Sequence, residues 1–427
     1  MTLRHLVCVW ILSALLAACH SGSNTPTCSF DDPAVLATSS WPKFRHDRSN
    51  TGSVDLALSA EPSADPLWVF PDKPASVGPF QASPVLNTND AKIYIGSNDG
   101  TMYVLNTGSS VLDQDRLAAS FTLDAQFGIT GTALLGLRDG ADAIFVGVGD
   151  GRLLGFDDVG VPQAGFWPFA GFSGAVSTSP NISTLNGIIY GGAVTAFFFG
   201  VCPNGIEGFA LSTVGVASSP AVGPEGNVYF GADDGQLRAV NSLGTFEWTV
   251  SASAPILTAP VVEADTSGKT EAIYVADSAG VLLKVNVSGQ PDSTFAFPPR
   301  SMPIGPLPNT MLSSPALAGT HLYFGYPDGK LYAIDKDSGQ TVWTVQTGAE
   351  ITSSPAVATN GPMPVVVVGS TDGNVYFVQD DGSPSPPTHT FAIGAPIHSS
   401  PAIDQAGTVY IGADDGRVYA IAAPAAP

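Results

Sequence analysis

Ser219-Pro220-Ala221-Val222 is followed by Val228-Tyr229-Phe230-Gly231, Asp233-Asp234-Gly235 and Leu237-Arg238-Ala239-Val240, and this order recurs along the chain. Ser314-Pro315-Ala316-Leu317 leads in the same way to Leu322-Tyr323-Phe324-Gly325, Asp328-Gly329 and Leu331-Tyr332-Ala333-Ile334. Ser400-Pro401-Ala402-Ile403 leads to Val409-Tyr410-Ile411-Gly412, Asp414-Asp415-Gly416 and Val418-Tyr419-Ala420-Ile421. Further copies start at Ser83-Pro84, Ser179-Pro180 and Ser354-Pro355, with Gly131-Thr132 and Ala259-Pro260 as degenerate ones, which makes eight. Pro180, Pro220 and Pro260 stand 40 residues apart, as do Pro315 and Pro355, and that is the length of a four-stranded propeller blade.

Each copy has a strand logic. The Ser-Pro segment suits an inner strand, because small residues fit the crowded axis and proline is tolerated at a strand's first position. Asp-Gly, at Asp99-Gly100, Asp150-Gly151, Asp234-Gly235, Asp328-Gly329, Asp372-Gly373 and Asp415-Gly416, predicts a tight hairpin with positive φ at both residues between the second and third strands. Outer strands are expected at Phe246-Glu247-Trp248-Thr249, Thr294-Phe295-Ala296-Phe297, Val342-Trp343-Thr344-Val345 and Thr390-Phe391-Ala392. None follows Ile421, whereas Leu67-Trp68-Val69-Phe70 precedes the first copy with no inner strands of its own. That segment is expected to complete the last blade and close the ring, removing the open edges that template aggregation. The fold class is therefore all-β, an eight-bladed propeller of four-stranded blades over residues 41–427, closed by an N-terminal strand.

Composition agrees. The 427 residues hold 47 Gly and 35 Pro, a chain of tight turns and short strands. With 44% hydrophobic and only 12% charged residues it can bury enough apolar area to offset its ordering entropy. The net charge of −21 repels phosphate backbones and excludes nucleic-acid binding.

The chain begins with Arg4 and His5, an apolar run from Leu6 to Leu16, and Ala17-Ala18 before Cys19. The run falls short of the ~20 apolar residues that span a bilayer, so it reads as a secretory signal. Leu16-Ala17-Ala18-Cys19 resembles the lipobox of bacterial lipoproteins, which implies a cleaved signal at 1–18, lipid on Cys19, and a lipidated flexible tether over 19–40. The alternative is an ordinary cut after Ala18. With His20 rather than Asp after the cysteine, the resemblance implies the outer membrane. Cys28 and Cys202 remain; an exported chain can pair them, but sequence does not supply their separation, so a disulfide and two free thiols both stay open.

Ala333, Asp335, Ser338, Gly339 and Trp343 resemble the docking motif of the pyrroloquinoline-quinone (PQQ)-like propeller repeat proteins, with Ser in place of Thr. Ala239, Asn241, Gly244 and Trp248 match it with one residue deleted, and Trp41-Pro42-Lys43-Phe44-Arg45, with Asp47 and Thr51-Gly52, looks like the segment that precedes the first blade in that family. The resemblance covers about residues 41 to 423 and implies that Trp343 packs between blades. It divides on function, since fold does not fix chemistry. The family's quinoprotein dehydrogenases hold PQQ and calcium over the axis, stack the quinone on a tryptophan and usually cover it with a ring of adjacent cysteines. This chain has no adjacent cysteines, and its copies are spaced too closely for large inter-blade insertions. Trp68, Trp248 and Trp343 belong to outer strands, and Trp41 and Trp167 suit buried packing.

No other constellation carries catalysis. His46, His321, His389 and His398 lack metal-ligand spacing, although His398 stands where it could face the channel mouth. Asp265-Thr266-Ser267-Gly268 after Glu263 approaches a calcium loop but reads better as a turn. Catalytic, cofactor and metal residues are thus expected to be absent. The expectation is a monomeric, lipid-anchored binding or scaffold module of the cell envelope with a protein partner, as in the family's non-enzymatic outer-membrane assembly branch. A PQQ-dependent oxidoreductase and a carbohydrate- or peptide-binding surface lipoprotein are the alternatives.

Overall fold

The computed structural model describes residues 35–423, apart from 73–76, 124–125, 139–140, 158–159, 162–168, 171–173, 184, 196, 296 and 298–312. Eight antiparallel sheets follow one another along the chain, and the described residues hold a single short 3-10 turn, Asp113–Asp115. Blade 1 comprises Val85–Leu86, Lys92–Gly96, Thr101–Asn106 and Leu117–Thr122, and the same up-and-down order repeats through to blade 8. The last blade has Ala402–Ile403, Thr408–Gly412 and Val418–Ala422, and its outer strand is Trp68–Phe70, in register Trp68 to Ala420 and Phe70 to Val418. The ring is closed by the N-terminal segment, as its orphan position in the sequence required.

Blades meet through one repeated contact. In every blade but the fifth, a glycine at or next to the end of the second strand lies against the first apolar residue of the next copy. At Gly325 an added Cβ would come within 2.3 Å of the Ile351 Cγ2, and at Gly369 within 2.3 Å of the Ile397 Cγ2. Glycine here buys close approach of neighbouring sheets, and core layers such as Ala316, Tyr323, Ala333, Trp343, Ile351 and Val366 run continuously from blade 6 into blade 7.

Three expectations need correction. In the Asp-Gly turns only the glycine has positive φ, for example 79° at Gly329 and 74° at Gly416, while the aspartate does not. Ser97 N–H bonds Thr101 O and Gly100 N–H bonds Ser97 O, which is a three-residue loop with glycine at its left-handed position. The aspartate serves by its side chain: Asp99 Oδ1 accepts the Thr101 N–H, and Asp328 Oδ1 accepts that of Lys330. Second, of the outer strand expected at Thr294-Phe295-Ala296-Phe297, the described residues Thr294, Phe295 and Phe297 form no named strand, and Ala296 lies outside the described residues. Among the described residues blade 5 has three, Val261–Ala264, Thr270–Ala276 and Leu282–Asn286, joined to Phe297 by an isolated bridge from Leu282. Asp292 Oδ1 takes both the N–H and hydroxyl of Thr294, curling the chain into a turn where a ladder would run. Third, the stretch expected as tether is already bound at Val35–Leu36, which pairs antiparallel with Leu134–Arg138 of blade 2. Two apolar residues at that point find an inner strand edge to satisfy them.

Candidate functional site

Two consecutive hydroxyls at the start of several inner strands have separate jobs. In Thr352-Ser353-Ser354, the Ser353 hydroxyl accepts the N–H of Gly369 in its own blade, at 3.2 Å. Ser399 does the same for Gly412, and Ser313 for Gly325. The next hydroxyl reaches sideways instead. Ser314 N–H donates to Ser354 Oγ, Ser354 N–H to Ser400 Oγ, and Ser400 N–H to Ser83 Oγ, at 2.9 to 3.0 Å. Ser83 N–H continues to Thr132 Oγ1, Thr132 N–H to Ser179 Oγ, and Ser179 N–H to Ser219 Oγ. Ala259 N–H donates to Ser314 Oγ but has no hydroxyl to offer Ser219, so the girdle is interrupted there. The Ser-Pro repeat is therefore a hydrogen-bonded ring around the axis as well as a strand start.

One end of the channel is plugged by residues 41–54. Their carbonyls accept inner-strand N–H groups from blade after blade: Leu86 to Trp41, Leu135 to Pro42, Val222 to Arg48, Val262 to Ser49, Leu317 to Thr51 and Val357 to Gly52. Side chains complete the pin. Arg45 donates to the carbonyls of Pro315 and Pro355, and Asn50 to those of Pro220 and Pro260. Gly52, with φ of 65°, leaves room for the guanidinium, which lies 2.1 Å from where a Cβ would stand. Lys43 and Arg45 are only 1% and 2% exposed. Burial lowers the Lys43 amine to about 7 and the Arg45 guanidinium to about 9, against the opposing pull of Asp47. Lys43 holds its place by donating to the carbonyls of Phe44 and Asp47 and to Asn50 Oδ1.

Above the plug the channel is an open cup of about 280 Å³, with Phe44 and the girdle in its lining and Gln81, Thr130, Ser177, Ala217, Leu257, Thr352 and His398 nearer the mouth. It opens on the face that carries the Asp-Gly turns. His398, placed at the mouth as the sequence allowed, lies 2.8 Å from Thr352 Oγ1 and 3.4 Å from Asp414 Oδ2. A larger groove of about 650 Å³ lies between Glu61 to Ala64 and the outer strand of blade 7, but no set of functional side chains converges there.

The docking-motif residues sit away from this cup. Trp343 pairs with Ala333, is 2% exposed, and donates its indole N–H to Asp380 Oδ1 of the next blade at 2.8 Å. Asp335 Oδ1 accepts the N–H and hydroxyl of Ser338, and Gly339 turns with φ of 72°. Trp248 and Trp68 likewise reach a neighbouring blade, at Val287 O and Thr107 O. Cys202 is buried and disulfide-bonded; Cys28, whose pairing with it the sequence left open, and Cys19 lie outside the described residues, as does Trp167. Trp41 is packed in the core at 1% exposure. Asp265 caps its own turn through Ser267 and Lys269, and Glu263 is engaged by Tyr274 and Lys336. Among the described residues no group of three or more His, Cys, Asp or Glu could hold a metal ion.

The girdle and the axial plug were not anticipated. The first had a signal, since the hydroxyl before proline recurs with the blade; the second depends on contacts across up to 310 residues of sequence.

A family model described as outer membrane protein assembly factor BamB matches residues 205–425. No curated protein matches the sequence. Among solved structures, BamB from Moraxella catarrhalis superposes with a TM-score of 0.58 at 18% identity, over 82% of this chain and 98% of that one. Quinohemoprotein alcohol dehydrogenase from Comamonas testosteroni superposes with a TM-score of 0.67 at 13% identity, over 94% of this chain and 82% of that one. Both likenesses are of fold. Calcium takes six to eight oxygen ligands, carboxylates among them, and no described residue lining the cup is acidic, so the axis does not fit a calcium-held quinone.

Proposed function

The chain belongs to the family described as outer membrane protein assembly factor BamB, and from that membership we propose a non-catalytic propeller that acts as a binding or scaffold module of the bacterial cell envelope. Its partner in this proposal is an envelope protein engaged in outer-membrane protein assembly, and its tie to the membrane is lipid on Cys19. The match over residues 205–425 carries the proposal. The shape of the axis supports it: one end is filled by a hydrogen-bonded plug, and the described residues lining the other include none of the carboxylates a quinone-calcium pair would require. Crosslinking in intact envelopes followed by affinity purification is the test. Recovery of an outer-membrane assembly component is expected; recovery of no envelope protein would overturn the partner. Mass spectrometry of the mature N-terminus tests the anchor, and an unacylated N-terminus would remove it.

A second proposal, PQQ-dependent oxidation, has one observation in its favour, the superposition on the quinohemoprotein alcohol dehydrogenase over 94% of this chain. Reconstitution with PQQ and calcium decides between the two. Dye reduction with alcohols or sugars would replace the scaffold proposal.

A further inference from the structure

The cup is ringed by hydroxyls, and the carboxylate nearest its lining, Asp414, is engaged by Gln81 and His398 at the mouth. Each girdle oxygen except that of the missing hydroxyl at position 259 accepts an N–H from the adjacent blade, and none of these hydroxyls donates to a protein acceptor among the described residues. Ser83, Ser314 and Ser354 are 5%, 4% and 4% exposed as whole residues and line the cup, so with its oxygen taken by an N–H each hydroxyl has its proton free to turn toward the axis. A ring of hydroxyl protons facing one space favours a guest rich in acceptor oxygens.

The charge beneath the ring has the matching sign. Arg45 donates to the carbonyls of Pro315 and Pro355, each one residue beyond a girdle serine, so its guanidinium is held at the level of the inner strands just below the girdle. Its Nε has no hydrogen-bond partner, and Lys43 is buried in the same plug. The chain has 37 acidic residues, yet none of the described residues lining the cup is acidic. A neutral polyol brings no charge to meet the guanidinium below the ring, whereas carboxylate or phosphate oxygens take the hydroxyl protons and face that positive charge.

We propose that the axial cup binds a small organic or inorganic oxyanion, through carboxylate or phosphate oxygens held directly by the girdle hydroxyls, without a metal ion. The inference is independent of the assembly partner, because it concerns a site enclosed within the ring.

The test is calorimetric titration of the full-length protein with succinate and with inorganic phosphate at constant ionic strength, with methyl glucoside as a neutral probe. Saturable one-to-one binding of either anion is expected, and which one binds separates a carboxylate guest from a phosphate guest. Removing girdle serines would weaken the ring itself, so two mouth variants are used. Thr130→Glu adds a carboxylate at an exposed position of the mouth, and Ala217→Trp fills the cup; each should weaken binding at least tenfold while the unfolding temperature stays unchanged. Absence of saturable binding by both anions, equal binding by folded Thr130→Glu protein, equal binding of the glucoside, or a requirement for calcium would each overturn the proposal.

Discussion

Blades 5 and 6 are neighbours built on the same repeat, yet they are fastened to the ring in different ways. Blade 6 has Ser314 in the girdle, Gly325 against Ile351, a full outer strand Thr341–Gln346, and Trp343 bonded to Asp380 of blade 7. Blade 5 has Ala259 in place of the girdle hydroxyl, Ala276 in place of the glycine, three strands among the described residues, and no tryptophan. Its junction with blade 6 is instead laced by charge: Lys336 Nζ stands 2.7 Å from Glu263 Oε1, and Lys284 Nζ 3.1 Å from Asp337 Oδ1. The difference teaches that a propeller tolerates loss of its repeat chemistry in one blade, provided its neighbours keep the ring closed and a substitute set of contacts spans the gap.

The sharpest way to break the comparison is Trp343→Ala. Truncating a large, fully packed side chain costs about 3 to 5 kcal/mol, and here it also removes a donor from a buried carboxylate. Denaturant unfolding should show that loss, whereas Trp248→Ala, at a half-buried position between blades 4 and 5, should cost clearly less. Equal losses would mean that burial at the blade 6 junction gives no special hold.

Gly325→Ala and Ala276→Gly form the next pair, since they exchange the residue at one position of the repeat. Overpacking against Ile351 should cost about 1 to 3 kcal/mol. The reverse change in blade 5 should cost about 0.5 to 1 kcal/mol, mainly through backbone entropy. If Gly325→Ala is neutral, the close approach of sheets is not what holds blades 6 and 7.

Acid sharpens the contrast further. Burial pushes the Asp380 carboxyl up, but donors from Tyr323, His321, Trp343 and the Gly382 N–H outweigh it and hold the group below its ordinary value. A depressed folded value stabilises the protein above the unfolded pKa near 4 and is lost as the pH falls through the folded one. Asp380→Asn should therefore flatten the acid limb of stability. Asp337 is also held low, chiefly by Lys284, but its side chain is 67% exposed and solvent screens it. Asp337→Asn should leave the acid limb nearly unchanged, and a comparable flattening by both would erase the distinction between the two junctions.

Much of this contrast was legible in the residues and some was not. The Ser-Pro period, the orphan Leu67-Trp68-Val69-Phe70 and the weak copy at Ala259-Pro260 stand in plain view, because strand order and ring closure follow from repeats. The Asp-Gly pairs marked the right turns with the wrong backbone, since a side-chain bond from aspartate to the second N–H onward supports the three-residue loop as readily as positive φ supports the two-residue one. Thr294-Phe295-Ala296-Phe297 has a strand's alternation, and only the local turn at Asp292 diverts it. At the axis, His398 was placed by its offset from Ser400. The cup floor and the plug were hidden because Phe44, Arg45 and Asn50 act on carbonyls far away in sequence, which no local pattern records.

A gain of function tests whether blade 5 is merely incomplete. Ala259→Ser restores the missing girdle oxygen next to Ser219 and should stabilise by about 0.5 to 1.5 kcal/mol, the net worth of one hydrogen bond. Ser354→Ala, which leaves the Ser314 N–H without its acceptor, should destabilise by a similar or larger amount. A neutral Ala259→Ser would show that the ring at blade 5 has relaxed around the alanine.

The smallest effect belongs to the outermost contact, the Lys284–Asp337 pair. Both side chains must be ordered to meet at 3.1 Å, and Asp337 is largely in water, so Coulomb attraction there is weak and screened by salt. Lys336–Glu263 is different in kind, because its partners are 16% and 14% exposed and Glu263 also accepts the Tyr274 hydroxyl. A double-mutant cycle on Lys284 and Asp337 should give a coupling of about 0.2 to 1 kcal/mol that shrinks as ionic strength rises. The same cycle on Lys336 and Glu263 should give a larger coupling that salt changes less. Were the exposed pair to prove the stronger, the hold of blade 6 on blade 5 would lie at the rim, and the half-buried pair would be a bystander.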